Sequence, residues 1–262
     1  MKIRQITSSQ NDHAKRWRKL GSRKGREKYG ALLVEGEHLL LEAIRAEWTV
    51  RSVLVADEET SVLDRIPLAE EVPIYSLYPS NFSQLVDTQT PQGIAAEVMI
   101  PAVEQYEPSH QEKVLLLDGI QDPGNLGAIL RTAEATGIRD IWLGPGTVDP
   151  FNPKVVRSAM GSLFRSRLRR IDLRQAITDL QAQGFFVVST NPRAEKTHFQ
   201  CIYPDKTAVL LGNEGRGVHP DLEEMADAQV QIPMPGKVES LNVSVTAGIL
   251  LYEMVRQEWE KE

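Results

Sequence analysis

The sequence predicts an α/β protein, with a smaller amino-terminal α/β domain followed by a larger domain built on a parallel sheet. Three observations carry that expectation. Beyond residue 113 the apolar runs "VLLLDG", "DIWLG", "FFVVST" and "AVLLG" alternate with helical patterns at 126–137, 153–164 and 173–184, which marks βαβ units. The glycine- or proline-rich turns "DPGNLG", "GPGTVDPFNP" and "GNEGRGV" fall at strand ends, where parallel sheets bind ligands. Between the two halves, "PAVEQYEPSHQEK" (101–113) interrupts every apolar period with prolines, acids and polar residues, as a linker would.

The first element is charged. Residues 1–30 hold ten Lys or Arg against Asp12 and Glu27, a balance of +8, which leaves the rest of the chain at −14. Carrying Trp17 and Tyr29, this stretch reads as a basic arm able to neutralise phosphates and stack on a base; a solvated terminal helix is the plain alternative. Next come the strand-like runs "ALLVEG", "VRSVLVAD", "VPIYSLY" and "GIAAEVMI", separated by the helical stretches "EHLLLEAIRAE" and "PSNFSQLV". They complete an α/β domain over 1–100, with the larger domain over 114–262.

In the larger domain a second basic cluster, with Arg165, Arg167, Arg169 and Arg170, adds weight to a polyanionic partner. The approach "VQIPMPGKVES" ends a short β-like run at Ile232 and turns on Pro233, Pro235 and Gly236. The last helix begins near Ser240, a candidate N-cap, and carries an apolar stripe of Ala247, Leu250, Leu251, Met254 and Val255.

Composition excludes several classes. The 262 residues, 41% hydrophobic and 25% charged, suit a soluble chain of two domains. No apolar run approaches the roughly 18 residues of a membrane span, and the first residues lack the apolar core of a secretory signal, so the expected location is the cytoplasm. The single cysteine, Cys201, reads as a small buried residue. No Cys/His cluster has metal-ligand spacing, so no metal is expected. Gly124 and Gly127 fit neither dinucleotide nor P-loop spacing, which disfavours a dehydrogenase.

Three segments taken together are specific. "DPGNLGAILRTAEATG", "LLGNEGRGV" and "IPMPGKVESLNVSVTAGILLYEM" resemble, in order and spacing, the three motifs of the SpoU or TrmH family of RNA ribose 2′-O-methyltransferases. "LLVEGEHLLLEAI" and "VPIYSLYPSNFSQLVDTQTPQGIAAEV" resemble the small substrate-binding domain of the members that act on ribosomal RNA. The resemblance implies a deep trefoil knot in the carboxyl-terminal domain, otherwise almost absent from proteins. It also implies S-adenosylmethionine as cofactor, RNA as partner and a homodimer whose site draws on both subunits.

The resemblance further implies roles residue by residue. Arg131 contacts substrate phosphate and helps activate the 2′-hydroxyl. Since a guanidinium is a poor base, electrostatic positioning is the favoured form of that role; a surface ion pair with Glu134 is the plain alternative. Asn125, just before the helix, orders the loop or reaches the ribose, or only caps. Glu214 fixes Arg131, a loop amide or the substrate. Ser240 and Asn242 match positions near the cofactor and the reacting ribose, while Gly212, Ile232 and Leu241 match positions whose backbone binds the cofactor. Arg157 is a candidate RNA contact. His13, His38, His110, His198 and His219 lie outside the motif cores, with His219 read as a helix-start or surface residue. Two other functions stay open at this point: an inactive RNA-binding homologue, and a knotted methyltransferase acting on an RNA base. The RNA and the nucleotide are not legible, because folded RNA is recognised by shape and splayed bases.

Overall fold

The structure is a computed structural model that describes residues 3–101 and 113–261. Most of the expected linker, 102–112, with His110, lies outside the described residues. The chain divides into two compact units, one formed by 3–101 with 149–164 and the other by 113–148 with 165–261.

The first unit contains β1 (Ile3–Ile6), α1 (Asp12–Leu20), α2 (Arg23–Tyr29), β2 (Ala31–Glu35), α3 (Glu37–Arg45), β3 (Val50–Ala56), β4 (Ile74–Leu77), α4 (Pro79–Phe82), β5 (Ile94–Met99) and α6 (Pro153–Ser158). Its five strands run in the order β1-β4-β3-β5-β2. β1, β4 and β3 are mutually parallel, and β5 is antiparallel to both β3 and β2. Strands β3, β4 and β5 are buried through most of their length, because helices cover the sheet and apolar residues are favourable on both faces.

The amino-terminal stretch is not a free arm. Asn11 caps α1 by accepting from the His13 amide, and Ser22 caps α2 by accepting from the Gly25 amide. Trp17, expected as a stacking platform for a base, is 0% exposed. It packs with Leu20, Leu54, Leu77 and Phe82, and its Nε1 donates to Glu97 at 2.9 Å. The periodic burial of Ala14, Trp17 and Leu20 outweighs the charge of the stretch, so the indole belongs to the core. Tyr29 is half-buried against the same cluster. Arg16 and Arg26 are also spent inside the unit, the first on Glu97 and the second on Asp149.

The second unit contains β6 (Lys113–Leu117), α5 (Pro123–Ala135), β7 (Asp140–Leu143), β8 (Arg167–Arg170), α7 (Leu173–Ala182), β9 (Phe186–Thr190), β10 (Lys196–Thr197), β11 (Thr207–Leu211), α8 (Pro220–Met225), β12 (Ala228–Gln231) and α9 (Val243–Trp259). Seven strands, all parallel, run in the order β10-β12-β9-β11-β6-β7-β8. The central strand β11 is buried at all five positions. Strand succession reverses beside it: β6, β7 and β8 step outward on one side, while β9 lies on the other. Crevices at the carboxyl ends of strands form at such reversals. The basic cluster at 165–170 is largely the edge strand β8, where Arg165 pairs with Glu134, Arg167 lies 3.7 Å from Asp140, and Arg170 donates to the carbonyls of Thr147 and Val148. Charged side chains on an edge strand also guard against edge-to-edge pairing.

Helices α5 and α9 pack on each other. Leu126, Ile129, Leu130 and Ala133 of α5 and Ala247, Leu250, Leu251 and Met254 of α9 are all buried. No helix among the described residues is long and apolar enough to cross a membrane. No group of three or more His, Cys, Asp or Glu among them can hold a metal ion. Cys201 is buried, and that burial raises its thiol pKa.

Candidate active site

Three carboxyl-terminal strand ends face one cleft of about 790 Å³ in the second unit. Thr190–Arg193 follow β9, 212–218 follow β11, and 231–241 follow β12; Val243 and Thr246 of α9 complete the lining. Three residues expected at a cofactor, Gly212, Ile232 and Leu241, line this cleft together, as do Glu214 and Ser240.

Gly212 is required by close approach. A Cβ there would lie 2.0 Å from the Val218 nitrogen and 2.1 Å from the Gly217 carbon, far inside contact distance. The turn closes on itself through Asn213 and Gly217, whose backbones exchange two hydrogen bonds of 2.9 Å, with Gly217 at φ 75°. The Asn213 side chain completes it, donating to the Gly119 carbonyl at 2.7 Å and accepting from the amides of Gly215 and Arg216. Asn213 therefore ties the turn after β11 to the segment after β6. It was not among the expected site residues, although asparagine between glycines is a recognisable Asx-turn signal. Asp118, also unanticipated, is buried and accepts from the His219 amide at 2.8 Å. His219 caps α8, its ring accepting from the Asp221 amide.

A chain of side-chain bonds joins the three sequence segments. The Glu214 carboxylate accepts from the amides of Gln121 and Asp122, at 3.3 and 3.2 Å, and from Asn125 Nδ2 at 3.0 Å. Asn125 Oδ1 accepts from Asn242 Nδ2 at 2.9 Å, and Asn242 Oδ1 accepts from the Ser244 amide at 2.8 Å. The orientation follows from chemistry. An ionised carboxylate only accepts, so Asn125 must turn its NH₂ to Glu214 and its oxygen to Asn242, which leaves the Asn242 oxygen for the helix start. Burial opposes ionisation of Glu214, but donors from Asn125, its own backbone, Asp122 and Gln121 outweigh it and hold the carboxyl below its ordinary value of 4.5.

Two helix starts differ from expectation. α5 begins at Pro123 with Asp122 as N-cap, so Asn125 lies within the first turn rather than before the helix, its amide bonded to Asp122 and its side chain free for Glu214 and Asn242. α9 begins at Val243 with Asn242, not Ser240, as N-cap. The cap falls where a side-chain oxygen can reach the Ser244 amide, and Asn242 sits two residues before it.

Arg131 lies two turns along α5 from the Asn125 knot and is exposed. Among the described residues it makes no hydrogen bond or ion pair; Glu134, its plain alternative partner, is bonded to Arg165 instead. Neither Arg131 nor Asn125 lines the cleft. A closed glycine turn, a relay of amides and a guanidinium without a partner among the described residues thus come from three segments far apart in sequence.

The SpoU rRNA Methylase family matches residues 112–252, more than half of the chain. The chain belongs to the SpoU rRNA methylase family. An MRM3-like substrate binding domain matches residues 11–96. A relative in Bacillus subtilis, the 23S rRNA (guanosine(2553)-2′-O)-methyltransferase RlmP, is 39% identical over 96% of this chain and 99% of its own length. An RNA 2′-O ribose methyltransferase crystal structure superposes with a TM-score of 0.83 at 30% identity, covering 97% of this chain and 99% of that one. The SpoU methyltransferase AviRb of Streptomyces viridochromogenes, crystallised with AdoMet, gives a TM-score of 0.86 at 27% identity over 95% of this chain and 99% of its own. The SpoU family match spans the relay and the whole lining of the cleft.

Proposed function

We propose that this protein transfers a methyl group from S-adenosylmethionine to a ribose 2′-hydroxyl of RNA, with ribosomal RNA as the substrate class. The observation that carries the reading is the relay Glu214–Asn125–Asn242, which unites the three family segments beside a cleft bounded by Gly212, Ile232 and Leu241. The cleft suits the cofactor: Ile232, Met234 and Leu241 offer apolar contact to a ring, and the turns around them offer backbone donors and acceptors to its edge.

S-adenosylmethionine supplies a methyl group on a sulfonium, already a good leaving group. The protein's part is alignment and making a weakly acidic hydroxyl nucleophilic. In this reading Arg131 grips the phosphate and stabilises the developing alkoxide, since a guanidinium stays protonated near neutrality and so does not serve as a base. Glu214, Asn125 and Asn242 fix the start of α5, from which Arg131 projects, and Ser240 lies on the cofactor loop. Residues 3–101 with 149–164 hold the RNA, and 113–148 with 165–261 carry the methyl transfer.

The reading includes a trefoil knot, formed by the segment after β12, and a homodimer. Exposed apolar side chains on α9 support the dimer: Val245, Tyr252 and Trp259 are 50%, 52% and 71% exposed and recur every seven residues along one side of the helix. Incubating the protein with ribosomal RNA and methyl-labelled cofactor, then digesting to nucleosides, tests the function. Label in 2′-O-methylated nucleosides is the expected result; label in a base, or none, overturns it.

A further inference from the structure

The first unit contains a cavity of about 200 Å³ of its own. It falls below the roughly 300 Å³ at which pockets for drug-sized ligands begin, so it has room for one planar ring system. Leu20, Leu39, Leu85 and the half-buried Leu33 and Phe151 form the apolar part of its wall, and polar groups form the rest. Apolar walls alone would describe a packing gap, but two buried polar groups line the same space.

The first is Arg26, 4% exposed. Its Nη1 donates to the carbonyls of Leu20 and Gly21 at 2.9 and 3.0 Å, and its Nη2 to Asp149. Its Nε–H is buried and meets no acceptor among the described residues. Buried donors are nearly always satisfied, so one beside a cavity calls for a ligand acceptor. The second is Glu35, 8% exposed, whose carboxylate accepts from Thr88 Oγ1 at 2.7 and 2.9 Å and from the Gln92 amide at 3.1 Å. A carboxylate with two oxygens has further acceptor capacity.

Two arginines flank the cavity. Arg18 is exposed and, among the described residues, bonded by its side chain only to Gln84 Oε1 at 3.3 Å; Arg157 reaches Asp87 at 3.4 Å. Apolar walls for a ring face, a buried donor and acceptor for its edge, and guanidinium groups for the adjoining phosphates are the chemistry that recognises a nucleobase splayed from a strand. We propose that this cavity takes a single unpaired base of the substrate RNA, with Arg18 and Arg157 on its flanking phosphates. The proposal rests on the RNA methyltransferase reading above and adds a recognition site in the first unit, distinct from the cleft of the second.

The full-length protein tests it with ribosomal RNA transcripts carrying 4-thiouridine or 6-thioguanosine. Irradiation is expected to crosslink RNA to peptides within 18–39, 84–87 or 151–157. Val86→Trp, which plugs the lining, should reduce that crosslink and raise KM for RNA by about ten-fold or more, the order expected for losing one stacked base, with kcat and cofactor affinity unchanged. Should Val86→Trp fold poorly, Arg18→Ala with Arg157→Ala replaces exposed or partly exposed side chains and is expected to raise KM several-fold. Crosslinks confined to other peptides, or a KM within two-fold of the parent in a folded variant, overturn the proposal. Unchanged ribose methylation by the plugged protein would sink the pocket alone, whereas no ribose methylation by the parent protein would sink the functional reading beneath it.

Discussion

Glu97 in the first unit and Glu214 in the second are both carboxylates surrounded by donors, and they illustrate opposite uses of that arrangement. Glu97 is 0% exposed and receives Arg16 Nη2 at 2.6 Å, Trp17 Nε1 at 2.9 Å and Ser52 Oγ at 3.5 Å, with Arg51 at 3.7 Å. Its donors are cations, an indole and a hydroxyl from elements that it pins into one core. Glu214 is exposed at a strand end, and its donors are two loop amides and Asn125. It organises a surface that other molecules can reach. Burial turns a donor-rich carboxylate into a structural rivet, and exposure at the carboxyl edge of a parallel sheet makes it part of a site.

The sharpest break of this contrast is Glu97→Ala. It strips the acceptor from the buried Trp17 indole and from the partly buried Arg16, while Arg51 is 45% exposed, and leaving buried donors unsatisfied costs about 1–3 kcal/mol. Urea unfolding should show that loss; a cost under about 1 kcal/mol would contradict the structural role. Arg131→Ala should do the reverse. Turnover should fall by about 10²–10³-fold, the usual effect of removing one group that stabilises developing negative charge. The unfolding midpoint and cofactor affinity should hardly move, and equal turnover would end the assignment. Asn242→Ala belongs to both categories, since it removes a helix cap worth about 1 kcal/mol and releases Asn125. A modest fall in stability together with reduced turnover is expected, and stability loss alone would separate capping from the site.

The smallest effect concerns pH. The folded-state pKa of Glu214 is depressed, so its contribution to stability is complete above the ordinary carboxylate value of 4.5 and is lost as pH falls through the depressed one. Melting temperatures of the parent and Glu214→Gln should therefore differ most near neutrality and converge in acid. A gap that widens on acidification would mean that the carboxyl is not held ionised by its donors.

The same contrast shows which parts of the molecule sequence patterns could reveal. Strands such as β3, β6, β9 and β11 were legible because both faces are buried and the chain writes them as continuous apolar runs. Three edge strands were not, whereas the edge strand β2 was: β1 is mostly exposed, β8 reads as an arginine cluster, and β10 has two residues. The fate of residues 1–30 was misjudged because charge was weighed without the spacing of Ala14, Trp17 and Leu20. Around the cleft, the glycine turns could be anticipated from motif order, whereas Arg131 stands outside its lining. The bonds among Glu214, Asn125 and Asn242 could not, since they join residues 89 and 117 positions apart and depend on where two helices begin.

One feature of the chain path bears on dissection of the molecule. Trp48 in the first unit donates its Nε1 to the Phe164 carbonyl at 2.9 Å and packs its ring on Phe164 and Phe151, residues reached only after β6, α5 and β7 of the second unit have intervened. A protease cut or stop codon near residue 101 would release a fragment with an uncovered indole and an Arg26 stripped of Asp149. Such a fragment is expected to be sticky and poorly folded, so supplying 149–164 on a short tether would be the way to obtain the first unit by itself.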